Sequence, residues 1–214
     1  MPARLTATAH NSILLAGAVV ALSYLAASFV SPAFPFDPIW KAAGIVLLSA
    51  YAFLRRAPLA GAARAFSAVG DIMLALEPPQ WIGGMAGFGV AHLFYCAAFL
   101  EIVRRAGLAR EGLPLALLVL AASAGMGIWH FPDMGALKVS GLAYQAIITL
   151  MVMLAFVSRA PMLAKLGAVI FMLSDSLIAL GLYKNIAAPP GSIWLTYVAA
   201  QIMLAKALSD ASRP

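Results

Sequence analysis

Charge is what this sequence has least of. Only 10% of its 214 residues are Asp, Glu, Lys or Arg, against about 25% in ordinary soluble domains, so a water-facing globular surface is excluded. A single cysteine, Cys96, rules out an intramolecular disulfide and offers no redox pair. The three histidines, His10, His92 and His130, fall on separate segments without His-x-x-x-His or His-x-x-x-Asp spacing. No zinc site is legible, and no metal or cofactor is expected. The alternation of apolar and polar residues that marks a membrane strand is also missing.

What is present is hydrocarbon. Hydrophobic residues make up 64% of the chain and mean hydropathy is +0.96. A spanning helix needs about 20 apolar residues, and breakers divide the sequence into eight such runs. They are Ser12–Val30, Pro38–Leu54, Ala62–Leu76, Trp81–Ile102, Leu113–His130, Ala136–Val157, Met162–Leu182 and Ser192–Leu208. Proline-rich punctuation separates them, as in Arg55-Arg56-Ala57-Pro58 and Glu77-Pro78-Pro79. The third run is the shortest. The first is long enough to span and carries no convincing cleavage site, so it reads as a helix and not as a signal peptide. The expectation is one polytopic, all-α integral membrane domain over residues 1–214, an eight-span helix bundle.

The few charges fix an orientation. With both termini cytoplasmic, the inner segments carry Arg4, Arg55, Arg56, Arg64, Arg104, Arg105, Arg110, Arg159, Lys165, Lys206 and Arg213, and only Lys41, Lys138 and Lys184 fall outside. That bias is the positive-inside pattern. It accounts for the net charge of +6 through topology and anionic lipid, with no call for nucleic acid. Short tails and an Ala/Gly/Arg-rich composition point to a bacterial inner membrane.

Against this background two acids stand out. Asp71 lies in Gly70-Asp71-Ile72-Met73-Leu74-Ala75-Leu76, and Asp175 in Ser174-Asp175-Ser176-Leu177-Ile178-Ala179-Leu180. An ionisable residue at the centre of a membrane helix costs about 2.5–3.5 kcal/mol on insertion scales, which marks it as functional by default. The matching contexts on spans three and seven suggest a 4+4 parallel repeat, although short matches in an Ala/Leu-rich chain also arise by chance. At 1.5 Å per residue the two acids lie roughly 14 and roughly 20 Å from the cytoplasmic ends of their spans, similar depths at which the carboxyls can meet. Two carboxyls in a dry interior resist ionising together, leaving one acid beside one base.

Other polar residues share that depth: His92 and Tyr95 on span four, Tyr144 and Gln145 on span six, and Tyr197 and Gln201 on span eight. The i,i+3 and i,i+4 spacings put each of the first and last pairs on one helix face. Ser67, Ser174 and Ser176 are close to the acids in sequence. Each residue also has a plainer role open to it. Buried Asp can bond between helices, averaging only about 0.6 kcal/mol. His92 can be a packing histidine, the tyrosines belt residues, and Lys41 a snorkelling lysine at a span end.

The run Gly84-Met85-Ala86-Gly87-Phe88-Gly89-Val90-Ala91-His92-Leu93-Phe94-Tyr95, the small-residue-Asp motifs, and Thr196-Tyr197-Val198-Ala199-Ala200-Gln201 resemble the YhhN family of lysoplasmalogenases. The resemblance covers about Lys41 to Leu208. It departs at Lys41-Ala42, where a lysine followed by proline is expected. It implies a hydrolase that cleaves the vinyl ether of a lysophospholipid substrate, releasing a fatty aldehyde and a glycerophospho-ethanolamine or -choline. Asp71 and Asp175 match the positions assigned to catalysis in that family. One would protonate the enol ether and the other stabilise the cation and activate water; the order is open. His92, Tyr95, Tyr144, Tyr197 and Gln201 would orient water or bind glycerol, and Lys41 would hold the phosphate. The competing expectation is a proton-coupled transporter using the same two acids.

Overall fold

The computed structural model describes residues 2–211, with side chains for 8–27 and 29–211. Arg4 and Arg213, two of the expected cytoplasmic charges, lie outside the described side chains. Eight long helices are present among the described residues: α1 Pro2–Ser23, α2 Phe36–Leu54, α3 Pro58–Leu74, α4 Trp81–Ala106, α5 Leu113–His130, α6 Lys138–Val157, α7 Met162–Lys184 and α8 Ser192–Ala211. Seven stretches, each built around one of these helices other than α3, are long and apolar enough to cross a membrane. At 17 residues, α3 covers most of the short third run expected from the sequence and is not among those seven stretches.

Local chemistry sets the ends. Pro58 occupies the first turn of α3 and Pro114 that of α5, where the missing N–H would have had no helical partner. Gly107 (φ +82°) closes α4, and Asn185 (φ +56°) closes α7 in the left-handed conformation. The first expected span, Ser12–Val30, is not continuous: α1 gives way at Tyr24–Ala26 to a 3-10 turn, followed by the short helical piece Ala27–Val30.

The bundle is apolar on its outside and buries several polar residues within a mostly apolar core. Leu118, Ile128 and Val139 are exposed, while Arg64, Asp71, His92 and Gln201 are buried. This inversion is what a chain immersed in lipid requires, since internal polar groups must find partners within the protein. Six helices close a ring by pairwise packing, α2–α3–α4–α6–α7–α8 and back to α2. α1 lies outside against α2 and α8, and α5 lies outside against α6. Close crossings depend on small residues. A Cβ on Gly44 would stand 2.3 Å from the Ala21 backbone nitrogen, and one on Gly87 would stand 2.8 Å from that of Gly70. Neither the α1–α2 nor the α3–α4 crossing leaves room for a side chain there.

One charge sits where it was not expected. Arg64, assigned from sequence to a cytoplasmic segment, is fully buried two turns inside α3, because that helix begins at Pro58. Its guanidinium donates to the carbonyls of Ala60 and, at 3.4 Å, Gln201, and lies 5.6 Å from the Tyr95 ring centre.

Candidate active site

The inward faces of five ring helices assemble two polar clusters. In the first, Asp71 on α3 is 2% exposed and accepts a hydrogen bond from the Tyr197 hydroxyl of α8 at 2.6 Å. One turn along α8, Gln201 Oε1 accepts from the Tyr95 hydroxyl of α4 at 2.8 Å. In the second, Asp175 on α7 accepts from the Tyr144 hydroxyl of α6. His92 Nε2 lies 2.9 Å from that hydroxyl and 3.6 Å from Asp175 Oδ2. The spacings His92/Tyr95 and Tyr197/Gln201 thus do what helical periodicity requires, each pair reaching the ring interior from one face.

The clusters meet across aromatic rings. Phe171, one turn before Asp175, stands edge-on to His92 at 4.7 Å and to Tyr197 at 5.3 Å. Phe88 completes the wall, 5.8 Å from Tyr197 and 6.2 Å from Phe171. No hydrogen bond joins Asp71 to Asp175 among the described residues, and each is held by its own tyrosine. Asp71 lies within electrostatic reach of Asp175, a like charge, and of Lys41, an opposite one.

Asp175 faces open space. A cavity of about 310 Å³ is walled by Met85, Met126, Met134, Ile148, Met172 and Leu173, and Asp175 and Tyr144 form its polar edge. Asp71 is not part of that wall. Methionine side chains are flexible and polarisable, so such a lining adapts to apolar ligands of varied shape. A largely apolar pocket with a few convergent polar groups is the usual form of a small-molecule site.

The remaining expected residues divide. Lys41 is not among the residues that wall this cavity; its ammonium lies 6.0 Å from the Tyr24 ring centre and 5.9 Å from that of Trp194. Gln145 turns away from the acids and bonds Ser123 on α5. Ser67, Ser174 and Ser176 each donate to a backbone carbonyl, those of Ala63, Ile193 and Met172. Sequence reasoning missed the aromatic wall and His130, which is buried and lines the cavity. Phe171 could have been found from its i−4 spacing to Asp175. Nothing in the sequence ties Phe88 or His130 to the acids.

Comparison with known proteins gives one consistent result. The profile of the YhhN family matches residues 36–208. The proteins named lysoplasmalogenase in Mycobacterium bovis and Mycobacterium tuberculosis are each 32% identical to this chain over 181 residues, 78% of its length and 68% of theirs. No solved structure matches.

Proposed function

Because the chain belongs to the YhhN family, we propose that it is a lysoplasmalogenase, a membrane hydrolase that cleaves the sn-1 vinyl ether of lysoplasmalogens. The observation that carries this reading is a carboxyl, Asp175, which lines an apolar cavity together with its partner Tyr144 and has the buried His92 next to both. The likeness to relatives named for the same activity supports it. Cleavage begins with transfer of a proton from an acid to the β-carbon of the enol ether, which leaves an oxocarbenium ion at the α-carbon. Water adds to that carbon and loses a proton, and the hemiacetal collapses to aldehyde and glycerol hydroxyl. Protonation at carbon is slow and requires a positioned acid; the cation requires nearby negative charge.

Geometry favours a division of these tasks. Asp175 faces the cavity and is the proton donor, reprotonated through Tyr144 and His92, which form a continuous chain behind it. Asp71, held by Tyr197 and within electrostatic reach of Asp175, supplies negative charge from behind the aromatic wall. Tyr95 and Gln201 fix the orientation of the α4 and α8 faces. Lys41, within electrostatic reach of Asp71, serves the phosphate as a point charge.

The bundle reads further as two four-helix halves related by an axis along the membrane normal, with both termini cytoplasmic. In support, the packing of α1–α2, α2–α3 and α3–α4 recurs as α5–α6, α6–α7 and α7–α8, and α2–α8 has its counterpart in α6–α4. Asp71 then meets α8 as Asp175 meets α4. Purified protein in detergent tests the proposal. It should release aldehyde from a lysoplasmalogen, and Asp175→Asn should abolish that release while leaving the fold intact. Gradient-driven flux in vesicles without any aldehyde would identify a transporter instead.

A further inference from the structure

The cavity at Asp175 has a neighbour. A groove of about 580 Å³ runs between α5 and α6 and is lined by Leu120, Ile128, Phe131, Leu142, Leu150 and Met153. It faces lipid: Leu120, Ile128, Phe131 and Leu150 are all exposed. Ser123 and Gln145 belong to the walls of both spaces. At this shared boundary the two helices meet through a polar seam. Ser123 Oγ lies 2.6 Å from Thr149 Oγ1, and Gln145 Nε2 donates to the Ser123 carbonyl at 2.5 Å and reaches its hydroxyl at 3.1 Å. Gly127 leaves space for that amide, since a Cβ there would stand 3.1 Å from both its nitrogen and its oxygen. Among the described spans, α5 packs closely on α6 alone, so no third helix braces the seam.

We propose that the Ser123–Gln145–Thr149 seam is a lateral portal, through which the hydrocarbon chain of a single-chain lipid enters from the bilayer and across which its tail lies during reaction. This rests on the reading of the Asp175 cavity as the site of enol-ether cleavage. At about 310 Å³ the cavity is near the lower bound of ligand pockets, roughly 300–1,000 Å³. A long chain with its reactive end at Asp175 overfills it, and the adjoining apolar groove accepts the remainder. Interhelical side-chain hydrogen bonds in membranes are individually weak, so the seam opens without unfolding either helix. Three polar residues at one point of an otherwise apolar contact reclose it in register.

The test uses the full chain with Ser123→Cys and Thr149→Cys, in a Cys96→Ala background. Copper–phenanthroline takes two electrons from the thiol pair and both protons leave, forming a disulfide that locks α5 to α6; dithiothreitol reverses it. Two substrates are compared, a hexadecenyl lysoplasmalogen and a water-soluble butenyl analogue that fits within the cavity. Locking should lower turnover of the long-chain substrate by about tenfold or more, with recovery on reduction, and leave turnover of the butenyl analogue within about twofold. Undiminished long-chain turnover in the locked protein overturns the portal, and so does an equal loss on both substrates, which would place the effect on chemistry. If the unmodified protein cleaves neither substrate, the hydrolase reading fails. In that case a lysolipid with a diazirine at its chain end still judges the portal. Labelling of the α5–α6 groove that is lost on locking upholds chain entry, and labelling elsewhere refutes it.

Discussion

Replacing Tyr144 by phenylalanine removes a single oxygen and leaves the ring against the cavity, which makes it the sharpest probe of the proton chain. The hydroxyl donates to the Asp175 carboxylate and lies 2.9 Å from His92 Nε2. Hydrogen bonds to charged groups are worth about 1.5–3 kcal/mol, and each ~1.36 kcal/mol is a factor of ten in rate. Asp175 becomes a carboxylate only as it gives up its proton, so the bond reaches this strength in the transition state, and its loss lowers kcat roughly 10- to 150-fold. KM should hardly move, since the apolar wall is preserved. His92 Nε2 is already 3.6 Å from Asp175 Oδ2, so it can close on the carboxylate and recover part of the loss, which favours the lower end of that range. Combining Tyr144→Phe with His92→Phe should then cost less than the product of the two single effects, as expected for members of one chain. The assay is aldehyde release in detergent micelles, followed through a coupled alcohol dehydrogenase. A folded Tyr144→Phe protein turning over within about twofold of the native rate would refute the chain.

Other outcomes follow from the same geometry. Asp71→Asn keeps shape and removes the charge held by Tyr197 and reached by Lys41. It should lower kcat by about 100-fold or more without loss of the helical circular dichroism signal. Lys41→Met should raise KM about five- to thirtyfold at nearly constant kcat, the signature of a lost phosphate contact, and unchanged KM would remove Lys41 from the site. Gly44→Ala forces a Cβ to within 2.3 Å of the Ala21 backbone nitrogen, so it should destabilise the α1–α2 crossing by about 1–3 kcal/mol, seen as a lower unfolding midpoint in detergent. Arg64 has no carboxylate partner among the described residues and donates only to carbonyls. Arg64→Met should therefore leave that midpoint within about 1 kcal/mol of native or raise it, and a large drop would show that the guanidinium holds α3 to α8.

The elements were the most legible part. Leu113–His130 falls on the expected run at both ends, and most other helices differ by a few residues, because hydrophobic length and proline or glycine punctuation are local properties. The same holds for Asp71 and Asp175: an acid in an apolar run is conspicuous without any fold. The break at Tyr24–Ala26 was not legible, since Ser23-Tyr24-Leu25-Ala26 carries no proline or glycine. The kink instead accompanies contacts made from other helices, Tyr24 to Asp37 and Trp194, and Trp40 to Ser23. Arg64 misled because a cation near a span end is ordinarily cytoplasmic, and only the start of α3 at Pro58 takes it indoors.

By itself the sequence determined that the chain is a multi-pass helical membrane protein with two costly acids in apolar runs that are not neighbours in the chain. Those facts are set by transfer free energies that each residue carries alone. Tertiary structure alone decided that Tyr197 goes to Asp71 and Tyr144 to Asp175, that Phe88 and Phe171 pack edge to face beside His92 and Tyr197, and that Asp175 lines an apolar cavity. Helical periodicity says which residues share a face, but not which helix that face meets. The partner is fixed by the ring order α2–α3–α4–α6–α7–α8 and by the small residues that let those helices approach.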